Sequence, residues 1–250
     1  MLALLVVVAM GVIGVNFALT SQGFRVEQVN VAGTENPALV ADIEHMGIQG
    51  QNIFLVDTAA LTDRVEVVPL VASARLEKQW PNSVTVTVVE RAAVLLWQTN
   101  RGTYSVDRQG VVIAPASETV GANQLMTVVD TRGRQVGVLG QPIGPGVRLS
   151  QADVAFALRV FAQLPQMTGI TDFTLRYIAA DAVATGESGS YVVQDAGGWM
   201  AYLGSASDAN PLDNRLVELQ QILVLAQKQQ LNLATIDLRF GLRPVYTLKS

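Results

Sequence analysis

Cysteine is absent from the chain and histidine occurs once, at His45. Without thiols there is no disulfide framework and no thiolate zinc site, and a single imidazole excludes paired-histidine metal centres. Cys–His nucleophile pairs go with them, and any Ser–His pair would have to use His45. His45 follows Glu44 near the end of a helical pattern and reads as a solvated or helix-capping imidazole. The carboxylate pairs Asp42/Glu44 and Asp63/Glu66 fall on polar faces of short helices, where solvation accounts for them. No catalytic residue, cofactor or metal site is expected. Charge is scarce as well: 15% of residues are Asp, Glu, Lys or Arg, against about 25% in ordinary soluble domains. The formal net charge is −4 and there is no dense Lys/Arg run to neutralise phosphates, so nucleic acid is not an expected partner.

What is abundant is apolar surface. Half of the 250 residues are hydrophobic, enough for one large or two ordinary domains. From Leu2 to Leu19 the chain reads LALLVVVAMGVIGVNFAL, with no charge and Asn16 as its one strongly polar member. As a helix this run is about 27 Å long, close to the roughly 30 Å of bilayer hydrocarbon. It reads as an uncleaved transmembrane span. A cleaved signal peptide and a buried core helix are the alternatives, and Asn16 with Ala18 makes a poor cleavage pair. No Lys or Arg precedes the run and Arg25 is the first basic residue after it, so charge alone does not set its orientation.

Beyond the span, Phe24, Val26, Val29 and Val31 mark a strand ending before Gly33. Asn36 is placed as an N-cap with Pro37 in the first turn, and Leu39, Val40, Ile43 and Met46 repeat at helical spacing towards Gly47. Asp57-Thr58 caps a second short helix carrying Ala60, Leu61, Val65 and Val68. Val71 to Gln79 and Ser83 to Glu90 then form a hairpin, with Val84, Val86 and Val88 on one face. The order is strand, helix, helix, strand, strand.

That order next to a single span, with FRVEQVNVAG as opening strand, GQNIFLVD as inter-helix link and VPLVASARLEKQWPNSVTVTVVER as closing hairpin, resembles a POTRA domain of the FtsQ/DivIB cell-division family. The resemblance continues through Trp97 and SVDRQGVVI to IDLRFGLRPVYTLK. Two departures are Ala93, where the family usually has proline, and the lack of the basic cytoplasmic tail with which the family usually begins. The expected fold is therefore α+β: a transmembrane helix over 2–19, a small POTRA domain (β-α-α-β-β) over 24–91, and over 92–250 a larger mixed α/β domain with a mostly antiparallel sheet.

In that larger part, short strands are expected at 94–98, 103–106, 111–114 and 126–130. The loop GRQVGVLGQPIGPG opposes regular structure, and it lacks the Gly-Lys-Ser/Thr ending of a phosphate cradle. Ser150 and Asp153 open a helix expected to end near Pro165. Strands follow at 173–179, 190–194 and 199–203. From Asn210-Pro211 a long helix carries Leu212, Leu216, Leu219, Leu223 and Ala226, a stripe that suits a core face better than a coiled-coil seam. Thr235 to Leu242 reads as a strand, interrupted at Arg243-Pro244 before Val245 to Leu248. Pro244 lacks an N–H for a central ladder, which puts this segment at a sheet edge.

Two strand edges are the expected partner-binding surfaces. One carries Val71, Ser73 and Arg75 in the POTRA hairpin. The other carries Arg239, Arg243, Val245, Tyr246 and Leu248, where Arg239, Arg243 and Lys249 outnumber Asp237 and so favour an acidic strand or merely protect an edge. The resemblance implies a bitopic, non-enzymatic scaffold of the division machinery. It would be a single-pass protein of the plasma membrane at the division septum, with its bulk outside the cytoplasm. Its implied partners are small coiled-coil division proteins (FtsB/DivIC-like and FtsL-like) and other divisome proteins. A POTRA-containing component of protein transport or outer-membrane assembly is the second reading, and a membrane-anchored hydrolase the third.

Overall fold

The computed structural model describes residues 1–179, 189–239, 241 and 243–249. The chain divides into two compact units, Met1–Arg91 and Ala92–Ser250.

The first unit opens with helix α1 (Leu2–Thr20). Its apolar window, Ala3–Thr20, has a mean hydropathy of 2.3 and is nowhere buried by the rest of the chain. A helix that is apolar all round and left uncovered along its length suits hydrocarbon surroundings. Its length and composition fit a single-pass membrane protein. A 3₁₀ turn at Gln22–Phe24 leads to β1 (Gln28–Ala32), α2 (Pro37–Glu44), α3 (Thr58–Glu66), β2 (Val71–Gln79) and β3 (Ser83–Glu90).

Both short helices start where the sequence supplies a cap. Asn36 Oδ1 accepts from the N–H groups of Ala38 and Leu39 at 3.0 and 3.4 Å, and Asp57 Oδ1 from those of Ala59 and Ala60 at 3.1 Å. Each cap satisfies N–H groups that have no partner within the helix. The helices bury Leu39, Ile43, Leu61 and Val65 against Val84, Val86 and Val88 of β3. Each such side chain contributes about 1.5–3 kcal/mol by leaving water, and truncating one, as in Ile43→Ala, costs about 2–5 kcal/mol. β3 is central: β1 pairs with it in parallel and β2 antiparallel, giving the order β1-β3-β2. Gly33 turns the chain at φ +86° where a Cβ would stand 2.0 Å from the Val88 carbonyl oxygen. Only glycine allows that approach.

The second unit contains β4 (Leu95–Thr99), β5 (Gly102–Val106), β6 (Val112–Pro115), β7 (Thr127–Asp130), α4 (Gln151–Thr168) and β8 (Phe173–Ala179). They are followed by β9 (Gly189–Asp195), β10 (Met200–Gly204), α5 (Leu212–Gln229), β11 (Leu233–Asp237) and β12 (Val245–Leu248). Among the described residues its strands join one nine-stranded sheet, ordered β12-β11-β10-β9-β8-β7-β4-β5-β6. Three pairings are parallel, β4–β7, β7–β8 and β10–β11; the others are antiparallel. Two of the parallel pairs are joined through the long helices α4 and α5, since parallel neighbours need a crossover. These helices pack on each other and on the sheet. Val154, Ala157, Val160 and Leu164 of α4 and Leu212, Leu216, Leu219 and Ile222 of α5 share one core with Leu175, Val193, Leu203 and Ile236.

Several boundaries differ from the sequence expectation: the strand expected from Phe24 begins only at Gln28, after the 3₁₀ turn at Gln22–Phe24. α4 runs through Pro165 to Thr168, because a proline in the last turn removes one N–H while its own carbonyl still accepts from Gly169 at 3.0 Å. Gly169, at φ 77°, then closes the helix. The strand expected over 235–242 ends at Asp237, whose carboxylate accepts from the backbone N–H of Arg239 at 3.1 Å and turns the chain out of the sheet. Phe240 and Leu242 of that expected strand lie outside the described residues.

Candidate functional site

β12 forms the outer edge of the nine-stranded sheet, antiparallel to β11 with Asp237 opposite Val245, Ile236 opposite Tyr246 and Thr235 opposite Thr247. Pro244 precedes it, so the residue without an N–H stands outside the ladder. The backbone N–H of Lys249 donates to the Asn232 carbonyl at 2.8 Å. Alternation then turns the Val245 and Thr247 N–H groups towards β11 and those of Tyr246 and Leu248 outward. Among the described residues no strand pairs with that outer side. Val245, Tyr246 and Leu248 are 56, 37 and 50% exposed. Tyr246 lies across from fully buried Ile236, which places it at the margin of the core and not inside it. Next to β12 an open groove of about 490 Å³ is lined by Trp199, Leu223, Leu231, Leu233 and Lys249, among others.

The cationic residues of this edge are not equivalent. Arg239 stands in the turn after β11, where Nη2 meets Asp237 Oδ2 at 2.7 Å and the guanidinium lies 5.3 Å from the centre of the Tyr202 ring. Burial favours the neutral Asp237 carboxyl, but the hydrogen bonds and charge of Arg239 outweigh it and hold the carboxyl below its ordinary range. Arg239 therefore brings little unbalanced charge to a partner. Arg243 is exposed, and Lys249 Nζ donates to the Gly197 carbonyl at 2.9 Å.

The other expected edge, β2, is outermost in the three-stranded sheet. Val71 is fully buried and supplies core, whereas Ser73 and Arg75 expose their side chains. Arg75 pairs with Glu77 at 2.7 Å, a solvated contact of little energetic weight. The N–H of Ala74 donates to Glu66 Oε1 of α3 at 3.0 Å. The outward phase is therefore that of Ala74, Leu76 and Lys78, while Arg75 and Glu77 face β3. α3 thus occupies one outward donor, and a register shift between Val71 and Ser73 distorts the start of the strand.

Sequence reasoning missed a buried polar chain in the second unit. Trp97 Nε1 donates to Asp130 Oδ2 at 3.1 Å, Arg132 Nη2 bonds the same oxygen at 2.7 Å, and its guanidinium lies 4.6 Å from the centre of the Tyr177 ring. The Tyr177 hydroxyl donates to Asp153 Oδ2 at 2.6 Å and accepts from the Gly189 N–H; the Tyr191 hydroxyl donates to the Asp153 carbonyl at 2.7 Å. Burial pushes the Asp153 carboxyl up and both tyrosine hydroxyls well up. The space beside this chain is about 20 Å³, room for about one water and no substrate. Its groups are partnered to one another and tie α4 to β4, β7, β8 and β9. The separations in sequence, 33 residues between Trp97 and Asp130 and 24 between Asp153 and Tyr177, gave no local signal.

His45 is the C-cap of α2, with Nδ1 2.6 Å from the Ala41 carbonyl oxygen. Glu66 is taken up by Ala74. Among the described residues no group of three or more His, Asp or Glu side chains could hold a metal ion. The site that stands out is thus a strand edge, and the first unit has the strand and helix order of a POTRA module.

Residues 24–91 match the family model described as POTRA domain, FtsQ-type. The cell division protein FtsQ of Chloroflexus aurantiacus is 30% identical over 154 residues, 62% of this chain and 54% of that protein. FtsQ of Mycobacteroides abscessus is 33% identical over 124 residues, covering 42% and 40% of the two chains. FtsQ of Caulobacter vibrioides is 31% identical over 104 residues, covering 41% and 34%. Residues 24–91 thus match the FtsQ-type POTRA model, and the chain is similar to the FtsQ cell division proteins. It spans about half the length of the Chloroflexus relative that it matches.

Proposed function

We infer that the chain is a bitopic, non-enzymatic scaffold of the bacterial cell-division machinery, held in the plasma membrane by α1 with the POTRA and sheet units outside the cytoplasm at the septum. The observation that carries this reading is β12: a short, apolar edge, unpaired on its outer side among the described residues, with Tyr246 and Leu248 presenting both side chains and outward backbone groups. Such an edge binds an extended segment by strand addition, in which the backbone supplies affinity and alternate side chains select the partner. The partners that fit are the extracytoplasmic parts of small coiled-coil division proteins, FtsB/DivIC-like and FtsL-like, whose helices can follow the strand they add. The names of the relatives support the division role. The POTRA unit, through the exposed side of β2 at Ser73 and Arg75, is the second contact for other divisome proteins.

The test is deletion of Val245 to Ser250 in the full chain, with binding of an FtsB-like extracytoplasmic segment and septal localisation both measured. Binding is expected to be lost while the POTRA unit stays folded and the protein still reaches the septum. Unchanged binding by the folded deletion variant would sink the assignment of the partner to β12, and failure of the intact chain to reach septa would sink the division reading itself.

A further inference from the structure

The first unit exposes a connected run of aromatic rings. Phe17, in the last turn of α1, lies 6.4 Å from Phe24 between ring centroids; Phe24 lies 5.2 Å from Phe54, and Phe54 4.6 Å from Trp80. Phe54 and Trp80 are 43 and 56% exposed, and Leu55 beside them 67%. Apolar side chains clustered this way on a surface, not scattered singly, mark a face that something covers.

Where the run begins decides what covers it. α1 has 19 residues, so it is about 28 Å long and no longer than the hydrocarbon it would cross. Its last turn, with Phe17, therefore stands at the headgroup level. The domain beyond cannot swing away freely, since one residue, Ser21, separates α1 from the 3₁₀ turn that carries Phe24. Asn52, itself buried, donates from Nδ2 to the Ala18 and Leu19 carbonyls at 2.8 and 3.0 Å. It satisfies two of the acceptors a helix leaves open at its C-terminus. The same asparagine accepts from the N–H of Phe54 at 3.0 Å, and the Ile53 N–H donates to the Phe24 carbonyl at 2.8 Å. The segment that caps the helix thus also carries the next ring, and Trp80 extends the run at the turn between β2 and β3.

We propose that Phe54, Leu55 and Trp80 insert into the interfacial layer of the bilayer that α1 crosses, seating the POTRA domain on the membrane surface. This rests on the reading of α1 as a membrane span. The headgroup boundary suits these groups: the rings are apolar bodies, and the indole adds an N–H that stays hydrated there. Arg25, exposed beside Phe24, adds attraction to anionic headgroups.

The absence of cysteine makes the test clean. The full chain, carrying one introduced cysteine at a time, Ile13→Cys or Leu55→Cys, is labelled with an environment-sensitive fluorophore. It is reconstituted in phosphatidylcholine–phosphatidylglycerol vesicles containing lipids spin-labelled at shallow or deep positions. The Ile13 probe is expected to be quenched by the deep label, and the Leu55 probe to shift to the blue and be quenched by the shallow one. Adding Phe54→Ser with Trp80→Ser should abolish the Leu55 quenching and leave that of Ile13, with the circular dichroism unchanged. A quenched Ile13 probe with an unquenched Leu55 probe overturns the seating and leaves the anchor standing, with the patch then facing water or protein. An unquenched Ile13 probe overturns the anchor and the seating together. Leu55 quenching that survives the double substitution overturns the role given to the rings.

Discussion

The two sheets end in edges of opposite character. β2 is nine residues long, begins with a register shift, carries Arg75, Glu77 and Lys78, and has one outward N–H taken by Glu66 of the neighbouring helix. These are the usual defences of an edge against uncontrolled pairing. β12 is four residues long, has three exposed apolar side chains, and no charge between Val245 and Leu248. A protected edge contributes chiefly side chains to a contact, whereas an open one also offers its backbone. The difference separates a surface whose outward backbone is partly occupied from one whose outward backbone is open to pairing.

Tyr246→Ala tests the open edge most severely. Removing an aromatic anchor typically costs about 2 kcal/mol or more, roughly 30-fold in affinity. With Tyr246 37% exposed, the melting of the second unit should change little. Titration calorimetry against the FtsB-like segment checks both; full affinity in a folded variant would show that β12 is not where the partner adds.

Glu66→Ala sharpens the contrast from the other side. It uncovers the Ala74 N–H and removes a hydrogen bond, lowering POTRA stability by about 1 kcal/mol. The urea midpoint of the first unit should fall while affinity at β12 holds. A loss of that affinity would mean the two edges do not act separately.

The smallest effect concerns acid. Because Asp237 is held below its usual value of 3.8, the folded state favours its charged form. That contribution is complete above the unfolded value and disappears as the pH falls through the lower folded one. Arg239→Gln leaves burial as the stronger influence and moves the carboxyl up. Stability of the second unit should therefore decline less steeply on acidification through this window, as read from denaturation midpoints. An unchanged acid limb would detach the Arg239 pair from the stability of this edge.

Much of this contrast was legible in residues. Asn36, Asp57 and Ser150 announce helix starts because a capping oxygen acts within three positions. Pro244 places the last strand at an edge because the missing donor is a local property. The parallel pairing of β4 with β7 and β7 with β8 was not legible, since it joins segments separated by a hairpin and by a helix. Nor was Glu66 as the guard of β2. On a short helix its carboxylate looks solvated, and only the packing of α3 on β2 brings Ala74 within reach. Arg239 and Arg243 look alike in sequence; the turn after Asp237 neutralises one and leaves the other exposed.

The place of β12 in the topology also gives its availability an order in time. β11 reaches β10 in parallel only after α5 has crossed over, and β12 has no ladder until β11 is seated. As a chain is made from its N-terminus and its domains fold as they emerge, this edge is among the last features of the sheet to be displayed. Any segment that pairs with this edge would therefore meet a sheet whose other strands are already in place.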